Sequence, residues 1–148
     1  MKAMLDNAVA SRDFLDNCRP THIANPRTGY CLEFDRLYHR LKVAFEFQGA
    51  QHRKLTPLHQ TAEEFEEARM RDLIKMGLST KHGIDVVEIT AADLTIDRMI
   101  AKIPSGMPLV RVDRASRFIR YLNQTGQEYL NWSKRRSRQD ARSGGGGA

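Results

Sequence analysis

Residues 32–52, LEFDRLYHRLKVAFEFQGAQH, constrain the fold of this chain more than any other stretch. Apolar and polar residues alternate through it with period two. Leu41, Val43, Phe45 and Phe47 fall on one side of an extended backbone, and Lys42, Ala44, Glu46 and Gln48 on the other. The preceding run repeats the pattern, with Leu32 and Phe34 against Glu33 and Asp35. Two adjacent strands are predicted, joined by a bend over 36–40 that contains no Asn-Gly or Asp-Gly to reveal its turn type. If the strands pair as a hairpin, Asp35 and Glu46 can meet on one face.

Two buried carboxylates at that spacing repel, and one takes up a proton unless a cation lies between them. A magnesium-like ion is satisfied by one or two carboxylates and fills its remaining positions with water and substrate phosphate. Gly49 and His52 follow directly, the histidine where a water could be activated. The pattern outlines a metal-dependent phosphodiesterase. Taken singly, Glu33, Asp35 and Glu46 read first as solvated residues on an open sheet face; the grouping, followed by Gly49 and His52, reverses that preference.

At 148 residues the chain is large enough for a real core. No apolar run is long enough to span a membrane, and the first residues lack a signal-peptide layout, so a cytoplasmic protein with no membrane partner is expected. Cys18 and Cys31, without a C-x-x-C spacing, argue against a disulfide or a structural zinc site. The charge is unevenly placed. Residues 1–110 carry 15 Lys/Arg and 15 Asp/Glu, whereas residues 111–148 carry 9 against 3, so the whole net charge of +6 lies in the last quarter. A cationic segment on a neutral body suggests a polyanion partner; the alternative is a solubilising tail.

These features divide the chain into a core over 1–110, a basic helical extension over 111–142 and a Gly-rich tail over 143–148. Within the core, a helix is predicted from Met1 to Asn17 and an irregular lead-in from Arg19 to Gly29. Thr61-Ala-Glu-Glu64 is a capping-box pattern opening a helix that runs to about Thr80, its acidic first turns suiting the helix dipole. On that helix Phe65, Ala68, Asp72 and Met76 form one stripe, which would half-bury Asp72, while Met70, Leu73, Ile74 and Leu78 form a second apolar zone. A buried strand over 84–89 follows, then a helix over 91–103 and a short edge strand over 109–112. In the extension, Ala115, Phe118, Ile119 and Leu122 are predicted to face inward, with Gly126 interrupting the helix.

The pieces LEFD (32–35), KVAFEFQGAQH (42–52), RDLIK (71–75) and GIDVVEI (83–89) together resemble PD-(D/E)xK restriction-endonuclease-like nucleases. The likeness is greatest to the branch holding the very-short-patch repair and EDxHD homing endonucleases. It covers roughly residues 19–90, and FEFQGAQH is its most specific block. The resemblance implies an α/β fold with a restriction-endonuclease-like core, a mixed β-sheet flanked by helices. It further implies a magnesium- or manganese-dependent DNA endonuclease of phage or mobile-element type. By position, Asp35 is similar to the metal-binding aspartate and Glu46 to the second acid. Gln48 stands where many of these nucleases carry lysine. His52 matches the branch's histidine and Asp72 its last acid, and Lys75, one turn along, could supply the missing positive charge. The family's glutamate on an N-terminal helix has no counterpart before Glu33, where only Asp6, Asp13 and Asp16 stand.

The expected catalytic set is therefore Asp35, Glu46, Gln48, His52, Asp72 and Lys75, with Asp35 and Glu46 holding the metal. Gln48 would orient the attacking water, His52 would act as general base or acid, and Asp72 would orient His52 or a water. Phosphate contacts are expected from Arg114, Arg117, Lys134, Arg135, Arg136 and Arg138, while Tyr129 and Trp132 read as core residues before base-stacking ones. His22, His39, His59 and His82 read as surface or capping residues. A nucleic-acid-binding module that no longer cuts is the competing reading. RNA in place of DNA, and a homodimer, both stay open.

Overall fold

The computed structural model describes residues 1–49 and 62–143. Its elements in chain order are α1 (Lys2–Ala8), β1 (Leu15–Cys18), β2 (Phe34–Tyr38), β3 (Val43–Gln48), α2 (Ala62–Lys81), β4 (Asp85–Thr90), a short 3-10 turn (Ala91–Asp93), α3 (Ile96–Lys102) and α4 (Arg117–Ser143). The four strands form one mixed sheet in the order β1-β2-β3-β4, flanked by helices, an α/β architecture. Packing separates the described chain into two units, one of residues 11–47 and 62–88 and one of residues 1–10, 48–49 and 89–143.

In the first unit β1 and β2 run antiparallel, as do β2 and β3. The hairpin between β2 and β3 turns later than the predicted bend, because the strand continues through Tyr38. Arg36 there is 2% exposed. Burial is tolerated because one guanidinium edge meets both oxygens of Asp16 on β1, Nε to Oδ1 at 2.7 Å and Nη2 to Oδ2 at 3.0 Å, with the Phe14 ring 3.8 Å away. The turn places Lys42 at φ 53°, a left-handed position that lysine composition does not announce. Val43, Ala44 and Phe45 are all buried, so the strict alternation gives way where both faces of β3 are covered. Helix α2 ends in a Schellman motif. Gly83 at φ 69° donates to the Thr80 carbonyl, and the Ile84 amide donates to that of Ser79. The Asp85 amide then donates to the Lys42 carbonyl, bringing the start of β4 beside the start of β3. The core of this unit is Ile23, Phe34, Leu37, Ala44 and Ile84, with Leu78 and Val86 packed against it.

The predicted helix over Met1–Asn17 is only seven residues long. Val9 turns extended and bridges Leu109, and Leu15–Cys18 is drawn into the sheet by β2. Pairing across the chain here overrides a locally plausible helical pattern. The strand expected over 109–112 reduces to that single bridge. The helix predicted over 91–103 is broken near Leu94 by the capping box of the 3-10 turn. Gly126, expected as an interruption, lies inside continuous α4. A Cβ there would stand 1.7 Å from the Leu94 carbonyl oxygen, so the glycine permits close approach of helix and turn. Ile119 faces inward as predicted, whereas Phe118 and Ala115 are exposed.

Candidate active site

The β2–β3 register pairs Arg36 with Phe45, Leu37 with Ala44 and Tyr38 with Val43. One step further sets Asp35 opposite Glu46, the juxtaposition predicted from the alternation. Each carboxylate has a separate anchor. The Phe47 amide donates to Asp35 Oδ2 at 2.7 Å, and Lys75 Nζ on α2 donates to Glu46 Oε2 at 2.7 Å. Lys75 also donates to the Glu33 carbonyl at 3.0 Å and lies 5.6 Å from the Phe34 ring centre. One turn on, buried Ser79 donates its hydroxyl to the Lys75 carbonyl at 2.7 Å. The ion pair is largely enclosed, Lys75 16% and Glu46 13% exposed.

The carboxyl of Glu46 is held above its ordinary value of 4.5. Burial is the main cause; the hydrogen bond and charge of Lys75 oppose it, and the charge of Asp35 adds to it. Burial also pushes the Cys18 thiol up, reinforced by the carboxylates of Glu33, Glu46 and Asp16. The second oxygen of Glu46, Oε1, is buried and has no hydrogen-bond partner among the described residues. An orphaned carboxylate oxygen costs on the order of 1–3 kcal/mol or more when nothing compensates it. Beside a second carboxylate, it is a donor suited to a hard cation. Asp35 and Glu46 thus fit the two-carboxylate share of a magnesium- or manganese-type site. Among the described residues no group of three or more His, Cys, Asp or Glu side chains gathers around one point, so further donors would be waters, main-chain carbonyls or substrate.

Of the other expected site residues, Gln48 ends β3 and is half-buried. His52, with Gln51 and His59, lies outside the described residues. Asp72 is exposed rather than half-buried, because the side of α2 turned inward carries Ile74, Lys75, Leu78 and Ser79. No described contact ties Asp72 to Asp35 or Glu46. Among the remaining histidines, His39 lies 3.3 Å from Asp13, and the rings of His22 and His82 pack at 4.9 Å.

In the same unit lies a cleft of about 850 Å³ whose lining includes neither Asp35 nor Glu46. Glu33 and Ile74 line it, neighbours of the Lys75 anchor, together with Arg19, Arg27, Tyr30, Glu64, Glu67 and Arg71. Its residues from the irregular lead-in carry no period, so only the mix of arginines around an aromatic could have drawn attention to them.

The six cationic residues proposed for phosphate contact belong to the other unit. Arg114 pairs with Asp97 at 2.7 Å, while Arg117, Lys134, Arg135, Arg136 and Arg138 are exposed on α4. Trp132, expected in the core, is 40% exposed; its ring packs on Tyr129 at 5.4 Å, and the Arg136 guanidinium lies 5.5 Å from it. No helix among the described residues is long and apolar enough to cross a membrane.

Against known proteins, the chain is 30% identical over 80 residues to "Uncharacterized protein 307L" of Invertebrate iridescent virus 6. The match takes in half of this chain and 41% of the viral protein. No family model matches, and no solved structure matches.

Proposed function

We propose that the chain is a metal-dependent endonuclease of the restriction-endonuclease-like class, acting on DNA with magnesium or manganese. The observation that carries this reading is the buried Oε1 of Glu46, without a partner among the described residues, opposite Asp35 and with its sister oxygen on the Lys75 ammonium. Asp35 and Glu46 would hold the ion, Asp35 oriented by the Phe47 amide. A divalent cation at that point would polarise a phosphate oxygen and acidify water. Lys75 would take the part of the lysine absent at position 48, holding positive charge against the phosphate as negative charge develops. Gln48 would orient the attacking water. His52 would move its proton, a contribution of roughly 10²–10⁴-fold.

Nicking of supercoiled plasmid tests this. The parent should cut only with magnesium or manganese present, and Asp35→Ala should not cut while keeping its circular dichroism and melting temperature. Cleavage by Asp35→Ala at the parent's rate removes the assignment. A binding module that does not cut is the second reading, favoured by glutamine at position 48. Plasmid that is bound but never nicked, whatever the cation, would select it.

A further inference from the structure

The cleft is lined by a tightly tied loop and by α2 residues from Glu64 to Ile74. Ala24 bridges Cys31, and within that closure the Asn25 amide donates to the Tyr30 carbonyl at 2.9 Å. The Gly29 amide donates back to the Asn25 carbonyl at 2.7 Å, and the Arg27 amide to the side-chain oxygen of buried Asn25 at 2.9 Å. On this fixed loop the Tyr30 ring stands 78% exposed, where water is a poor neighbour for an aromatic face. Arg27 is exposed on the same loop and Arg71 on α2. Among the described residues no carboxylate pairs with either guanidinium, in contrast to Arg19, which is held by Glu33 at 2.9 Å.

We propose that this cleft takes a single nucleic-acid strand, with Tyr30 stacked on an unpaired base and Arg27 and Arg71 on the flanking phosphates. This rests on the nuclease reading of the Asp35–Glu46 pair, and it gives that site a separate subsite for unstacked bases, such as those that negative supercoiling exposes in a plasmid. Three features select a strand over a duplex. An exposed aromatic face is useful only to a base out of its helical stack, and such stacking tolerates any sequence. The volume of about 850 Å³ is on the scale that encloses a small ligand and cannot take in a double helix. Glu64 and Glu67 line the cleft as well, so it is not cationic on all sides: it offers guanidinium charge for one row of phosphates. Those carboxylates instead match the exocyclic amino groups of bases.

The test is binding without cleavage. Fluorescence anisotropy in EDTA compares a short labelled oligodeoxynucleotide, the same sequence as RNA, and its blunt duplex, for the parent, Tyr30→Ala, Tyr30→Phe and Arg27→Ala. Tyr30→Ala should weaken single-strand binding by roughly five- to hundred-fold, while Tyr30→Phe retains it and the duplex is little affected. Arg27→Ala should flatten the salt dependence. The DNA and RNA arms identify which backbone is preferred. A bromouracil-substituted oligonucleotide should photocrosslink within the loop that carries Tyr30. Equal single-strand affinity in the parent and Tyr30→Ala overturns the proposal, as does a crosslink mapping only outside the cleft. Because no cation is present, loss of Tyr30-dependent binding and loss of metal-dependent cutting are separately readable.

Discussion

Neighbouring residues of one hairpin carry two ion pairs of opposite character. In the Arg36–Asp16 pair the guanidinium donates to both carboxylate oxygens, and an aromatic ring covers it. In the Lys75–Glu46 pair the ammonium reaches one oxygen, and the other is buried with nothing to accept from among the described residues. The first has both carboxylate oxygens engaged and stitches β1 to β2. The second leaves a carboxylate whose charge is only partly compensated, next to Asp35, a second acid. A fold that needed only rigidity would satisfy both. Under the endonuclease reading, this difference is what a reactive carboxylate requires, since binding and catalytic groups are commonly kept at some cost in stability.

Removing the Arg36–Asp16 pair should have the largest effect on stability. Arg36→Met leaves Asp16 without its cation and takes a guanidinium from beneath Phe14. Urea denaturation should report a loss of about 3–5 kcal/mol. A loss as small as that of an exposed pair would break the contrast. Lys75→Met probes the other pair, and there the larger effect should fall on activity. Under the endonuclease reading, cleavage drops by roughly 10²–10³-fold, the scale for losing one preorganised charge at a developing anion. Its stability loss should be smaller than that of Arg36→Met. Kinetics on plasmid beside urea titration of both variants sorts the two roles.

The hairpin and α2 were legible because period-two alternation and helix-start signals are local, although Thr61, the expected cap, lies outside the described residues. Alternation alone places Asp35 and Glu46 together, and the register agrees. Of the two enclosed cations, Arg36 was not legible, and Lys75 was reached only through the family resemblance. No local pattern turns Arg36 or Lys75 inward, since each is satisfied by a carboxylate on another element, far away in sequence. For the same reason the stripe through Asp72 looked as good an inner face of α2 as the one through Ile74 and Leu78. Nor could the sequence distinguish a glycine that breaks a helix from one that lets it touch a neighbour; Gly126 is the latter. The strand at Leu15–Cys18 was hidden because its pairing partner, not its composition, determines it.

Acid titration sharpens the comparison through a third carboxylate. Burial works against the charged form of Asp93, but hydrogen bonds from the Thr90 amide and hydroxyl, with Lys102 nearby, hold its carboxyl below the ordinary 3.8. Asp93 therefore contributes stability that is full above 3.8 and is lost as pH falls through its lower folded value. Asp93→Asn should remove that acid dependence and cost about 0.5–2 kcal/mol near neutrality, the scale of a lost cap. Glu46 has the opposite sign. Its contribution is full below 4.5 and is lost as pH rises through its higher folded value. In the metal-free protein Glu46→Gln should therefore melt no lower than the parent at neutral pH, while losing any manganese-dependent rise in melting temperature. Scans with and without manganese across this range check both signs. Equal acid dependence in Asp93→Asn and the parent would remove Asp93 from the comparison.

The smallest effect is expected from a third pair, which is not buried. Arg19 and Glu33 lie 2.9 Å apart but are 65% and 40% exposed, so water competes for both charges. Holding two long side chains in one geometry offsets most of the screened attraction. Arg19→Ala should change unfolding free energy by about 0–1 kcal/mol, with the difference shrinking further in high salt. A loss approaching that of Arg36→Met would mean that contact with the sheet, and not enclosure of the charges, governs all three pairs. The orphaned oxygen of Glu46 would then carry less weight as a functional mark.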